Sequence, residues 1–187
     1  MSPVEPDLIW RVSLPSDWQY LSPWLDNSQD LERYAVDFLL RCGADDRQAA
    51  EIWVSDLLTQ ARDKGILHTI FAPTTGKSGS ISLLAITVHW LNTLGKDVSA
   101  QGIRRSAGNR RTTSLETSRG KHVFWVVEGE DEGDHTQPNP VQAVIVLQSS
   151  PWALVVSGTA TTFEGLEAVR PVVIQIARSF VIEESEK

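Results

Sequence analysis

The residues that most invite a chemical reading begin at position 71. Phe71-Ala72-Pro73-Thr74-Thr75-Gly76-Lys77-Ser78 closes on the Gly-Lys-Ser of a phosphate-binding loop. That loop needs a glycine five residues before Gly76, so that backbone N–H groups can wrap the phosphates. Phe71 stands there instead. The residues after Ser78 read as strand, where the loop requires a helix, so residues 73–79 are expected to form a hairpin turn. Gly76-Lys77-Ser78-Gly79-Ser80 comes one residue short of the hydrolase elbow G-x-S-x-G. The elbow's strained turn tolerates no side chain at its flanks, and Ser80 takes the place of the second glycine.

The four histidines, His68, His89, His122 and His135, are scattered, and none has a second histidine or a cysteine at ligand spacing. Three of them fall in strand-like runs, which suits sheet or core roles. The single cysteine, Cys42, ends an apolar helical stripe and is expected to be a small buried hydrophobe. No catalytic residue, cofactor or metal is therefore expected. Residues 128–134 (EGEDEGD) carry five acids without the alternating ligands of a calcium loop, and read as a solvated hairpin loop. Residues 104–121 hold six cations, Arg104, Arg105, Arg110, Arg111, Arg119 and Lys121, against Glu116 alone. They lack the interleaved aromatics of a single-strand nucleic-acid surface. They are read as a solvated surface, partly neutralised by the acidic loop, with docking of an acidic partner as the alternative.

The elements that must carry these residues centre on 121–160. Three apolar runs, 122–127 (HVFWVV), 141–147 (VQAVIVL) and 152–156 (WALVV), are rich in residues that fit a pleated surface. Turn formers bound them, so they read as three consecutive antiparallel strands. In the second run Val141, Ala143, Ile145 and Leu147 lie on one side, and Val144 and Val146 on the other. That pattern predicts a central strand covered on both faces.

Upstream, residues 8–14 alternate as a half-buried edge strand that Pro15 stops. Trp18, Leu21 and Trp24 follow in a loop. Leu31, Tyr34, Ala35, Phe38, Leu39 and Cys42 recur at helical spacing over 30–42, with Gly43 as the stop. Asp45 or Asp46 caps a second helix whose stripe is Ala50, Trp53, Val54, Leu57 and Ala61, ending at Gly65. Residues 66–72 read as a strand. Residues 81–91 read as its hairpin partner, with a helix as the competing reading. Residues 96–105 are a short helix, and 111–118 a polar edge strand. The last helix spans 163–180 through Phe163, Leu166, Val169, Val173, Ile176 and Phe180. Pro171 inside it requires a kink or a restart. Residues 181–187 read as a polar tail. The sum is one α+β domain: a mainly antiparallel sheet of six to seven strands, two N-terminal helices and one C-terminal helix.

Composition narrows the function. The chain has 187 residues, 41% hydrophobic and 22% charged, which fits one globular domain. Net charge is −7, against general binding to nucleic acid or an anionic membrane. The opening residues lack a basic region followed by an apolar core, and no apolar run approaches membrane length, so a cytoplasmic location is expected. The seven tryptophans include two in the proline-broken stretch Trp18-Gln19-Tyr20-Leu21-Ser22-Pro23-Trp24. A partner surface is expected there, on Trp18, Tyr20 and Trp24, with Glu130, Asp131, Glu132 and Asp134 as its charged rim.

The order edge strand, helices, meander, C-terminal helix resembles the PsbP-like α/β/α sandwich superfamily. The quoted matches are Leu14-Pro15-Ser16-Asp17-Trp18 near the start and Ile176-Ala177-Arg178-Ser179-Phe180-Val181 near the end. The two-helix insert is similar to that of actinobacterial proteins associated with type VII secretion and its toxins. The resemblance implies binding and not catalysis. The expected function is thus a non-enzymatic protein-binding module: an adaptor, a secretion accessory or an immunity-type protein, monomeric or homodimeric. The alternatives are a small hydrolase or nucleotide-dependent enzyme using residues 76–80, and a small-molecule binding protein with its pocket between sheet and helices. A deep pocket with converging polar groups, or a flat tryptophan-rich patch, would discriminate.

Overall fold

A computed structural model describes residues 6–21, 28–77, 79, 81–118, 122–129, 139–148 and 150–183. Its elements in chain order are β1 (Ile9–Arg11), β2 (Gln19–Leu21), α1 (Ser28–Arg41), α2 (Arg47–Asp63), β3 (His68–Thr75) and β4 (Ile81–Asn92), then α3 (Ala100–Ala107), β5 (Arg111–Glu116), β6 (Val123–Glu128), β7 (Val141–Val146), β8 (Trp152–Ala160), α4 (Phe163–Arg178) and β9 (Val181–Glu183). Seven strands form one antiparallel sheet in the order β2-β3-β4-β8-β7-β6-β5. The expected α+β class is what forms, with residues 81–92 as strand rather than helix.

The sheet is two meanders sewn together. β2-β3-β4 comes from the first half of the chain and β5-β6-β7-β8 from the second. The seam is β4 against β8, in register from Leu84↔Ala160 to Asn92↔Trp152. Because side chains alternate along a strand, one face of β4 presents Leu84, Ile86, Val88 and Trp90. These join Phe124, Val126, Ile145, Leu154 and Val156 in the main core, which α4 covers with Val169, Val173, Ile176 and Ala177. Gly158 lets α4 approach: a Cβ there would lie 2.5 Å from a Val173 methyl. Thr162 caps α4 by accepting from the Gly165 N–H at 3.0 Å. Pro171 sits inside the helix on its exposed side.

The opposite face is covered in two separate places. At one end α1 and α2 pack on Leu21, Phe71 and Ala85. Phe38 and Trp53 meet the Phe71 ring edge-on at 5.9 and 5.7 Å between centroids. At the other end α3 sets Ile103 and Ala107 against Val127. No helix among the described residues is long and apolar enough to cross a membrane.

Several expectations are corrected. Gln19–Leu21, read as loop, is a strand paired with β3. Val181–Glu183, read as tail, pairs with β1 in a separate two-stranded ribbon. The run 73–75 continues β3, so the turn is shorter than expected. α1 buries Ala35, Val36 and Leu39, which rotates its buried face away from Tyr34 and Cys42. Both are exposed, so Cys42 is not a core residue. β7 lies inside the sheet, between β8 and β6, but it is not fully covered on both faces: Gln142, Val144 and Val146 are only half-buried.

Candidate functional site

Between the two coverings lies a groove of about 630 Å³. Its position follows from topology. β4 is the third strand of the sheet and β5 its far edge, with β8, β7 and β6 between them. At about 4.8 Å per strand, the link from β4 to β5 must travel roughly 19 Å across the face. α3 is part of that link. Its eight residues reach only about 12 Å. It rests over β6 and leaves the strip along β4, β8 and β7 only partly covered, with His89, Leu91, Gln142 and Val144 half-buried.

The floor is therefore made of strand residues that share one face. His89 pairs with Val155, and Val155 with Val144. Leu91, Ala153, Gln142 and Val127 complete the floor. The wall is Ile103, Ser106 and Ala107 of α3 together with Thr93 and Val98 of the turn before it. Lys96, Asp97, Arg105 and Arg110 stand around it.

The polar groups are held in defined states. Asp97 organises the turn: its carboxylate accepts from the Ser99 N–H at 3.1 Å and from the Ser99 hydroxyl at 2.5 Å. Ser99 then caps α3 by accepting from the Gly102 N–H at 3.1 Å. Arg105 approaches Asp97 at 3.7 Å. The Ser99 hydrogen bonds, with the Arg105 charge behind them, hold the Asp97 carboxyl below its ordinary range. Ser106 donates its hydroxyl to the Ile103 carbonyl at 2.9 Å. Burial, with Lys64 adding its charge, pushes the His89 imidazole below its ordinary value. Its buried Nδ1 has no protein partner among the described residues. Sequence reasoning had set His89 aside as a strand residue. The available signal was one imidazole in the apolar run ISLLAITVHWL, on the same alternation as Thr87.

The other predicted site residues do not converge here. Tyr20, on the outermost strand, is 39% exposed, and its hydroxyl hydrogen-bonds His68 Nδ1 at 2.9 Å. Trp18 is half-buried against the main core. Trp24, Glu130, Asp131, Glu132 and Asp134 lie outside the described residues, as do Ser78, Ser80 and His135. Among the described residues no group of His, Cys, Asp and Glu side chains is arranged to hold a metal.

The turn after β3 has its own occupant. The Lys77 N–H donates to the Glu164 carboxylate in the first turn of α4, and Gly76 is packed against that carboxylate. The Gly79 N–H closes the turn on the Gly76 carbonyl at 2.9 Å. A carboxylate of the chain itself thus takes the Lys77 N–H, a group that a bound phosphate would need.

The basic segment is distributed over local partners. Arg104 lies over the Trp125 ring at 5.6 Å from its centroid. Arg111 and Arg170 both pair with Glu128. Glu128 opens the acidic run, yet it is buried where a solvated residue was expected. No family model matches the chain, and no curated protein or solved structure matches it.

Proposed function

We propose that this chain is a non-enzymatic binding module whose site is the groove between the sheet and α3. The observation that carries this reading is the groove itself: about 630 Å³, with an apolar floor on rigid strands and a few polar groups at its wall. Sites for small organic ligands have this size and makeup. The non-enzymatic part rests on the polar groups being otherwise engaged. The one groove serine, Ser106, donates to a backbone carbonyl of its own helix and not to His89, so the pair needed to activate a nucleophile is not assembled. The PsbP-like resemblance supports the same reading, because that superfamily implies binding.

A thermal-shift screen against small apolar and amphipathic molecules tests it, since a ligand that binds only the folded chain raises its Tm. Val144→Trp puts a large ring on the groove floor. Hits should appear with the parent chain and disappear with that variant. If no hit depends on Val144, the groove is not the site.

The protein-binding reading, as an adaptor, secretion accessory or immunity-type protein, keeps one supporting observation. Tyr20 presents an exposed ring on the sheet's outermost strand, and aromatic rings of this kind anchor partners. It is tested by Tyr20→Ala, which should weaken capture of a partner without lowering stability by more than about 1 kcal/mol, the net worth of one hydrogen bond.

A further inference from the structure

We infer that the groove takes an uncharged ligand, an apolar body carrying one hydroxyl, and that His89 is the residue that reads the hydroxyl. This rests on the groove being the binding site and adds the ligand's chemistry. The charged groups around the groove are already engaged or stand in water. Asp97 accepts from Ser99 and pairs with Arg105, and Arg110 donates its Nε–H to the Ala107 carbonyl at 3.3 Å. Lys96 is exposed. A charged ligand would leave water for a floor of Leu91, Val127, Val144, Ala153 and Val155, none of which offers a counter-charge. An apolar body gains from the same floor, because burial there takes its surface out of water.

His89 is the exception on that floor. It lies half-buried beside Val155, and neither ring nitrogen has a hydrogen-bond partner among the described residues. Nearly all buried polar groups in folded chains are hydrogen-bonded, so an unpaired imidazole in the lining of a groove is a ready point of contact for a ligand. The neutral ring has one N–H and one bare nitrogen, and burial and Lys64 hold it toward that form. A hydroxyl both donates and accepts, so it suits whichever nitrogen faces it. A carboxylate only accepts, and an ammonium only donates. The other uncharged polar side chain of the floor, Gln142, lies two strands across and two residues along. That places it roughly 12 Å from His89, at about 4.8 Å per strand and about 3.3 Å per residue. A single hydroxyl cannot serve both, and Val155 and Val144 between them offer only methyl groups. A sugar would leave hydroxyls unpaired there.

Calorimetric titration with three probes of similar shape tests the inference: para-propylphenol, para-propyltoluene and para-propylbenzoate. Each is kept below its solubility limit, at neutral pH, where the phenol keeps its proton. The phenol should bind roughly tenfold or more tightly than the toluene, which carries a methyl group in place of the hydroxyl. The benzoate should bind most weakly. His89→Phe keeps a ring on the floor and removes both nitrogens. It should bring the phenol down to the affinity of the toluene and leave the toluene within about threefold of its parent value. His89→Gln, which keeps a donor and an acceptor, should retain part of the preference. Val144→Trp should weaken all three probes. A urea unfolding curve on each variant confirms that it is folded, and His89→Leu replaces His89→Phe if the larger ring does not fit.

Equal binding of the phenol and the toluene, both lost in Val144→Trp, would overturn the hydroxyl inference and leave the groove as the site. So would a preference for the phenol that survives in folded His89→Phe, or a benzoate that binds more tightly than the phenol. Binding that ignores Val144→Trp in a folded variant, or no binding of any probe, would overturn both.

Discussion

Glu128→Gln is the substitution whose outcome the structure constrains best. The Glu128 side chain is 7% exposed, and it receives Arg111 from the edge strand β5 and Arg170 from α4. It therefore ties the far edge of the sheet to the helix above it. Glutamine keeps the shape and one carbonyl acceptor but removes the charge. Breaking a fully buried pair costs about 3–5 kcal/mol, because the abandoned charge has no water. Here Arg111 is 69% exposed and Arg170 41%, so both regain hydration when the carboxylate is lost. Exposed pairs contribute about 0–1 kcal/mol. A loss of about 2 kcal/mol lies between the limits, with most of it from the Arg170 side. Urea unfolding followed by tryptophan fluorescence should show the midpoint lowered by about 0.8 M, for a slope of about 2.5 kcal/mol per molar. The slope itself should not change.

The pH dependence supplies the control. Burial by itself would push the Glu128 carboxyl up, but the hydrogen bonds and charges of Arg170 and Arg111 outweigh it and hold the group below its ordinary value. As acid is added the unfolded chain therefore takes up this proton first. The stabilisation is complete above the ordinary carboxyl value of about 4.3, and is lost as pH falls through the lower folded value. The gap between parent and Glu128→Gln should hold from pH 7 to about 5 and close below about 4. His89 also weakens the fold in acid, from about pH 6.5 downward, because burial and Lys64 lower its folded value. It does so equally in both proteins and cancels. A difference under about 0.5 kcal/mol at pH 7, or one that persists unchanged in acid, would refute the clamp.

Gly158→Ala should cost about 2–3 kcal/mol by thermal unfolding, since its Cβ would lie 2.5 Å from Val173 and 3.1 Å from Val169, both stiff β-branched residues; a loss below about 0.5 kcal/mol would mean that α4 does not rest on β8 there. Cys42 is exposed, so its labelling by a thiol reagent in the folded chain should run within about threefold of the unfolded rate, and strong protection would contradict the rotation of α1. ATP and GTP should give no binding heat in calorimetry, and Lys77→Ala should change nothing. Glu164→Gln should lower stability by about 1 kcal/mol by weakening the bond that holds the Lys77 N–H.

The parts of this fold that were legible in the sequence are those where one local rule decides. β8 is an apolar run rich in residues that fit a pleated surface, and so is β4, although its run also admitted a helix. Asp46 and Gly65 bound α2 as a cap and a stop residue should, with Asp46 accepting from the Ala49 N–H at 3.1 Å. Gly76 failed as a phosphate motif in the sequence, and in the fold it packs against Glu164, a residue 88 positions further on that no spacing rule could connect to it. The misreadings have the same origin. Gln19–Leu21 and Val181–Glu183 are three-residue strands that exist only because a partner strand, β3 or β1, offers its edge. In α1 the apolar stripe was right at its centre and wrong at its margin. The stripe read from spacing holds Ala35 and Leu39, which are buried, and Phe38, which packs on Phe71; packing adds Val36 and leaves Tyr34 and Cys42 exposed.

The groove was illegible for a reason that bears on function. Val144 and Val146 look like core residues from their types, and in a sheet whose helices covered the whole face they would be. They are half-buried because the link from β4 to β5 spans three strands with an eight-residue helix. A longer apolar helix in that link would have closed the face and turned the same valines into ordinary core. The sequence instead puts Lys96, Asp97, Arg105 and Arg110 around a short helix, so charged groups line a surface that the strands make apolar. The floor is only partly open: Ala153, Val155 and Val127 are buried, while Leu91 and Val144 are half-buried, and the stems of the surrounding Lys and Arg side chains can cover apolar surface of this kind.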